Sequence, residues 1–287
     1  MTKRSMRQTS YGGGLEDSVH PIVFQVGPIA IRFYGLMYVT ALLVGIGLLR
    51  LEAKRRGLLP ERMVDVAFYV FVGGLIGGRL YYVLFKWGYY GAYPWKILAV
   101  WEGGMAIHGG LIGGLIGAWW FARTTGLSLA TLCDMIAPVV SLGHAFGRFG
   151  NFMNGDAHGY PLHSPLLPAW LRSFPDWMGV TFPASSIAGR EFGPVPLHPV
   201  MLYELVLNLL GFVWLWSCRT KPWRPGTLFG LYLIYYALVR SFTSLFRADD
   251  LYLGPLRMPH VISGVMILVG LWICLVPRSH ATLSQGQ

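Results

Sequence analysis

The stretch LGHAFGRFGNFMNGD places His144, Arg148 and Asn151 four and three residues apart, on one face of any helix that carries them. Arginine presents a planar fork that matches a phosphate better than any other side chain. Asparagine amides are suited to orient ester or hydroxyl oxygens, and histidine moves a proton near neutral pH. A second stripe, Tyr232, Tyr236, Arg240 and Arg247, repeats the pattern further along the chain. His198–Pro199 reads as the first turn of another helix, from which Tyr203 and Glu204 project one turn on. His108 stands at a helix start and is followed at once by Gly109 and Gly110. Two arginines with histidines and paired asparagines suit the phosphate of a phospholipid. No His-x-x-x-His pair, cysteine cluster or carboxylate cluster is available to hold a metal, so no metal and no cofactor are expected. A Gly-x-Ser-x-Gly elbow is absent as well, which argues against a serine-hydrolase route.

The elements that must position these residues are apolar helices. Of 287 residues, 54% are hydrophobic and 13% charged, against about 25% charged in soluble domains. Seven segments approach or reach the roughly 17–25 residues that cross a bilayer: 33–49, 64–85, 104–122, 129–147, 200–218, 226–246 and 260–276. The expected fold is an all-α polytopic membrane protein of seven transmembrane helices. Its organisation reads as a polar extension over 1–20, helices one to four over 21–150, and a periplasmic cap over 151–199. Helices five to seven follow over 200–277, then a tail over 278–287. Arg50, Lys54, Arg55, Arg56, Arg62, Arg123, Arg219, Lys221, Arg224 and Arg278 fall on one side of this arrangement, which is then cytoplasmic. The N-terminus is expected outside and the C-terminus inside; Lys3, Arg4 and Arg7 weigh weakly the other way. The net charge of +10 is scattered over loops and helix ends that face anionic lipid headgroups, with no stripe for nucleic acid.

Residues 1–20 carry no apolar stretch with a small-residue cleavage site, so no cleavable signal peptide is expected. Cys133, Cys218 and Cys274 form no close pair and read as small hydrophobes. Glycines at four-residue spacing in GGLIGGR and HGGLIGGLIGA predict tight helix packing for the second and third helices. The fifty residues between the fourth and fifth helices are rich in Pro, Gly and aromatics, which suits a small folded cap.

Several motifs occur together and in order: FYGLMY (33–38), GGRLYY (77–82), HGGLIG (108–113), GRFGNFMNGD (147–156) with Gly159, HPVMLYE (198–204) and the Arg240–Arg247 segment. Over nearly the whole chain, from about residue 21 to 276, they resemble the phosphatidylglycerol–prolipoprotein diacylglyceryl transferase family; the arginine–asparagine motif is specific to it, while HGG alone is weak. The resemblance implies a bacterial inner-membrane enzyme that moves the diacylglyceryl group of phosphatidylglycerol onto the thiol of a lipobox cysteine. The products are a thioether-linked prolipoprotein and glycerol phosphate. The implied partners are phosphatidylglycerol, lipobox-containing prolipoprotein precursors and membrane lipid, with no nucleic acid. By motif, Arg148 binds the headgroup, His108 and Arg240 serve catalysis, and Asn151, Asn154 and Gly155 shape the pocket. Tyr34, Asp156, His198, Tyr203 and Glu204 join the substrate-binding set.

Two positions depart from the family pattern. Asp156 and Ser244 stand where glutamates are usual, and Ser244 removes a partner expected for Arg240 or a candidate base. Three other readings compete: an anion-binding transporter, a divergent paralogue of low activity, and a scaffold that binds lipoprotein precursors. Against the first, the polar residues cluster toward one face, and Asp134 and Ser141 are too few to line a path.

Overall fold

The computed structural model describes residues 19–27, 29–100 and 103–276. Lys3, Arg4, Arg7, nearly all of the 1–20 extension, and Arg278 with the rest of the tail lie outside the described residues. A long helix forms over each of the seven expected segments: α1 Phe33–Arg55, α2 Arg62–Phe85, α3 Ile107–Thr125, α4 Leu129–Asn154, α5 Val200–Cys218, α6 Thr227–Ser244 and α7 Met258–Leu275. Five of them (α1, α2, α4, α5 and α7) are long and apolar enough to cross a membrane. Glycines dilute the hydropathy of α3, while tyrosines and the polar end of α6 dilute that helix. Large apolar side chains such as Leu43, Phe71, Leu111, Leu210 and Leu268 point outward, an arrangement suited to lipid and costly in water.

Two hairpins stand outside what the helical pattern predicts. β1 (Ile22–Val26) pairs antiparallel with β2 (Ile29–Arg32), with Val26 opposite Ile29 and an irregularity between Ile22 and Phe24. β3 (Tyr252–Leu253) and β4 (Leu256–Arg257) form a second, two-residue ladder.

The chain divides into two compact units. One holds the residues up to Thr40, His144–Leu209 and Ala237–Gly264. Its cores gather Val180, Phe182, Ala188, Leu197 and Met201, and separately Leu167, Leu171, Val200 and Phe246. The long connection before α5 is folded within this unit. Val180 and Leu197 exchange backbone hydrogen bonds at 3.0 Å each way. A short helix, Ile187–Phe192, starts at Ser186, whose Oγ accepts from the Gly189 N–H.

The other unit holds Ala41–Gly143, Leu210–Tyr236 and the residues from Val265 on. Here α2 and α3 pack through their glycines: a Cβ on Gly113 would overlap the Gly73 carbonyl, and one on Gly109 would overlap that of Gly77. Arg79, in the GGRLYY motif, ties down the α2–α3 connection. Its guanidinium donates to the carbonyls of Lys96 (2.5 Å), Ile97 (2.8 Å), Ala99 (3.2 Å), Gly103 (2.5 Å) and Gly104 (3.0 Å).

Candidate functional site

α4 continues to Asn154, seven residues past the end of its apolar run, so Arg148, Asn151 and Asn154 sit on its last two turns. The long connection therefore begins at Gly155, four residues later than the expected boundary. Gly155 ends the helix at φ +64°, and a Cβ there would stand 2.6 Å from the Ser186 Cβ, so both backbone and space call for glycine. The chain then folds Asp156 back onto the helix it has just left. Asn151 Nδ2 donates to Asp156 Oδ1 at 2.7 Å, and Asn154 Nδ2 to Oδ2 at 2.8 Å. Arg148 Nη1 donates to Asn151 Oδ1 at 3.3 Å.

Glu204, on the second turn of α5 and only 2% exposed, is the hub of this cluster. Its Oε2 pairs with Arg148 Nε. Its Oε1 accepts from Thr243 Oγ1 at 2.9 Å and faces Arg240 Nη1 at 3.5 Å and Arg247 Nη1 at 3.4 Å. Asp250 forms a second hub. Arg240 Nη2 donates to its Oδ1 at 2.6 Å, the Ser244 hydroxyl donates to Oδ2, and Arg247 Nε lies 3.5 Å from Oδ1. Asp249 takes the other side of Arg247 through two bonds of 2.9 and 2.7 Å. Arg257 completes the set, 4.0 Å from Asp250 Oδ2. The formal charges of Arg148, Arg240, Arg247 and Arg257 thus match those of Asp156, Glu204, Asp249 and Asp250.

The concern raised by Ser244 resolves here. Arg240 has a carboxylate partner, delivered by Asp250 from beyond the helix end, with the serine hydroxyl orienting it. Arg240 Nη1 remains a buried donor without a hydrogen-bond partner among the described residues. Arg148 keeps Nη2 unengaged among the described residues. Both arginines are therefore fixed by carboxylates while retaining donors, a geometry that can accept an anion without reorganising.

The other expected residues are placed as follows. Tyr34 packs against Gly150, where a Cβ would come within 2.9 Å of its ring, and its hydroxyl meets that of Tyr38 at 3.1 Å. His198 is fully buried between Phe174 and Phe246, with Nδ1 3.3 Å from the Tyr203 hydroxyl. Burial holds its imidazole down, from 6.5 to about 4, so it stays neutral near pH 7. Its surroundings are those of a packing residue. His108 is exposed in the first turn of α3, its ring 6.1 Å from that of Tyr81, and belongs to the other unit. Asp249, Asp250, Thr243 and Arg257 escaped the sequence reading. The signal available was an aspartate doublet in a chain with only 13 acidic residues.

The family model described as prolipoprotein diacylglyceryl transferase matches residues 21–276. The chain belongs to that family. Curated relatives named phosphatidylglycerol–prolipoprotein diacylglyceryl transferase include one from Fusobacterium nucleatum subsp. nucleatum, 41% identical over 88% of this chain and 96% of its own. That of Geobacillus kaustophilus is 39% identical over 92% and 96%, and that of Trichormus variabilis 38% over 88% and 87%. The matched region takes in both hubs, all four arginines of the cluster, and His108.

Proposed function

We propose that this chain transfers the diacylglyceryl group of phosphatidylglycerol to the lipobox cysteine of prolipoproteins, the first step of lipoprotein maturation. The observation that carries the reading is the Arg148–Glu204–Arg240 arrangement in a member of this family: two guanidiniums held by one buried carboxylate, each with donors to spare. The transporter reading gains no support from a cluster so fully cross-linked.

In the proposed reaction the cysteine sulfur attacks the glyceryl carbon that carries the phosphate oxygen. The C–S bond forms as the C–O bond breaks, and its electron pair leaves on glycerol phosphate. Arg148 holds the headgroup phosphate and Arg240 stabilises the charge that grows on the departing oxygen. Asn151 and Asn154 hold Asp156 and, with Gly155, shape the pocket wall; Tyr34 and Tyr203 flank it. A free thiol has a pKa near 8.5 and is mostly protonated at pH 7, so a base is needed. His108 takes that proton, a role resting on its HGG motif alone. Seven crossings of the bacterial inner membrane, with the N-terminus and the cap between α4 and α5 periplasmic and the C-terminus cytoplasmic, put the arginines toward the outer leaflet.

The direct test supplies the purified protein with phosphatidylglycerol vesicles and a lipobox peptide. The peptide should gain the mass of a diacylglyceryl group and glycerol phosphate should appear, while a peptide with serine for the cysteine gains nothing. Failure of both this assay and complementation in a transferase-depleted strain would reject the reading. His108→Gln and His108→Ala should be inactive at pH 7 and partly rescued as pH rises toward the thiol pKa. A Gln variant near wild type, with Ala inactive, would leave His108 a hydrogen-bonding role only. A reporter fused after Gln287 should read cytoplasmic, and one inserted near Leu166 periplasmic.

A further inference from the structure

A second arginine cluster, unrelated to the site above, surrounds Glu52 near the C-terminal end of α1. Glu52 is 2% exposed and is shared by three guanidiniums. Arg55 binds it through Nε (2.8 Å) and Nη2 (2.5 Å), Arg56 through Nε (2.6 Å), and Arg219 Nε lies 3.5 Å from Oε2. Arg55 Nη2 also reaches the Arg219 carbonyl at 3.0 Å, and the Arg219 guanidinium lies over the Trp216 ring, 3.8 Å from its centroid. These contacts join the end of α1 to the segment after α5.

Beside them is a cavity of about 270 Å³, lined by Arg55, Arg56, Arg219, Lys221, Asp134 and Trp223 among others. Its charge does not balance. Asp134 is committed to the start of α6, accepting from the backbone N–H groups of Gly226 (2.7 Å) and Phe229 (2.8 Å). With Glu52 it makes two carboxylates against four cations, which leaves a surplus of positive charge. Arg219 Nε is a buried donor with no hydrogen-bond partner among the described residues. Cytoplasmic loops of membrane proteins carry excess Lys and Arg, but those charges serve orientation without being gathered. Here they converge on one cavity, pinned by a shared carboxylate, a stacked tryptophan and the prolines of the TKPWRPG segment. Fixed guanidiniums with a surplus charge suit phosphate oxygens. The volume falls just under the roughly 300 Å³ at which small-molecule sites begin, a fit for a headgroup and not for an acyl chain.

We propose that the Arg55–Arg56–Arg219–Lys221 cavity is a phosphate-binding site separate from the transfer site, taking either an anionic lipid headgroup or a soluble phosphate. The cavity stands on its own geometry; only its assignment to the cytoplasmic face rests on the proposed topology.

The test uses full-length protein, delipidated in neutral detergent, and follows its thermal midpoint. Inorganic phosphate, micelles containing phosphatidate and micelles containing phosphatidylcholine are titrated in turn. Phosphate or phosphatidate should raise the midpoint saturably while phosphatidylcholine does not. Arg219→Gln/Lys221→Gln should need about tenfold more ligand, the equivalent of one lost charge-assisted hydrogen bond. Lys221→Gln alone, at an exposed position, should shift the curve in the same direction and guards against a misfolded double variant. In an Arg148→Gln background the response that remains should still be weakened by Arg219→Gln/Lys221→Gln, which separates this site from the transfer site. A response to phosphate itself identifies a soluble source; a response to phosphatidate alone identifies a lipid headgroup. No saturable response, an equal one to phosphatidylcholine, one abolished by Arg148→Gln, or one untouched by Arg219→Gln/Lys221→Gln would each overturn the proposal.

Discussion

Both arginine clusters are built on one buried glutamate, Glu204 in one unit and Glu52 in the other, and each glutamate meets three arginines. They differ in where the arginines come from and in what else is present. Two of the Glu52 partners are its own neighbours at i+3 and i+4, on a helix end where the guanidiniums are 25–37% exposed. The Glu204 partners come from α4, α6 and the turn beyond it, and three aspartates accompany them. A balanced, long-range cluster fixes directions; an unbalanced, mostly local one stores charge. The first arrangement suits chemistry that needs donors aimed at one developing charge. The second suits retention of an anion, as proposed.

Removing each glutamate probes this contrast most strongly. Glu204→Gln leaves three buried or half-buried guanidiniums short of a counter-charge and should cost about 3–5 kcal/mol of stability, with loss of transfer. Glu52→Gln should cost about 1 kcal/mol or less, because its local arginines can reach water. Thermal or denaturant unfolding in detergent decides, and equal costs would break the comparison.

Next in size is Arg148→Lys, which keeps the charge but loses the fork. The activation free energy of transfer should rise by about 2–4 kcal/mol while the protein still inserts stably. Near-normal rates would remove the headgroup role. Ser244→Ala should cost about 1 kcal/mol, the worth of its hydroxyl bond to Asp250. Its effect on transfer should track any loosening of Arg240, read as a fall in kcat with KM little changed.

A further effect concerns pH. His198 is held neutral by burial, with its pKa lowered to about 4 from 6.5. The unfolded chain therefore binds a proton that the folded chain refuses, and stability is lost as pH falls from 6.5 toward 4. In His198→Phe the midpoint should fall less over that window. An unchanged slope would transfer the pH dependence to other groups.

The seven helical segments were legible because apolar runs of spanning length leave few alternatives, and the expected 200–218 helix is observed as Val200–Cys218. The end of α4 was misplaced for a physical reason. A hydropathy pattern stops at Arg148, whereas the backbone continues because Glu204, fifty-six residues on, neutralises that charge. The face shared by Arg148 and Asn151 followed from spacing alone. The roles of Asp249 and Asp250 did not, since both lie beyond the helix end and meet Arg247 and Arg240 only through the fold. The hairpins were missed because four- and two-residue ladders leave no period to read beside apolar helices.

Arg79 carries its charge among five carbonyl oxygens, with the Tyr90 ring 5.2 Å from its guanidinium carbon and no carboxylate partner among the described residues. In this respect it acts as a covalently tethered counterpart of a coordinated metal cation, using dipoles as ligands where a carboxylate would add charge. Such a cage holds no carboxylate or imidazole, so none of its contacts is an ion pair. It also cannot be rebuilt by a lysine, whose ammonium offers three donors from a single point. Arg79→Lys would strand at least two carbonyls, and the segment leading into α3 would lose its anchor although no ion pair had been broken.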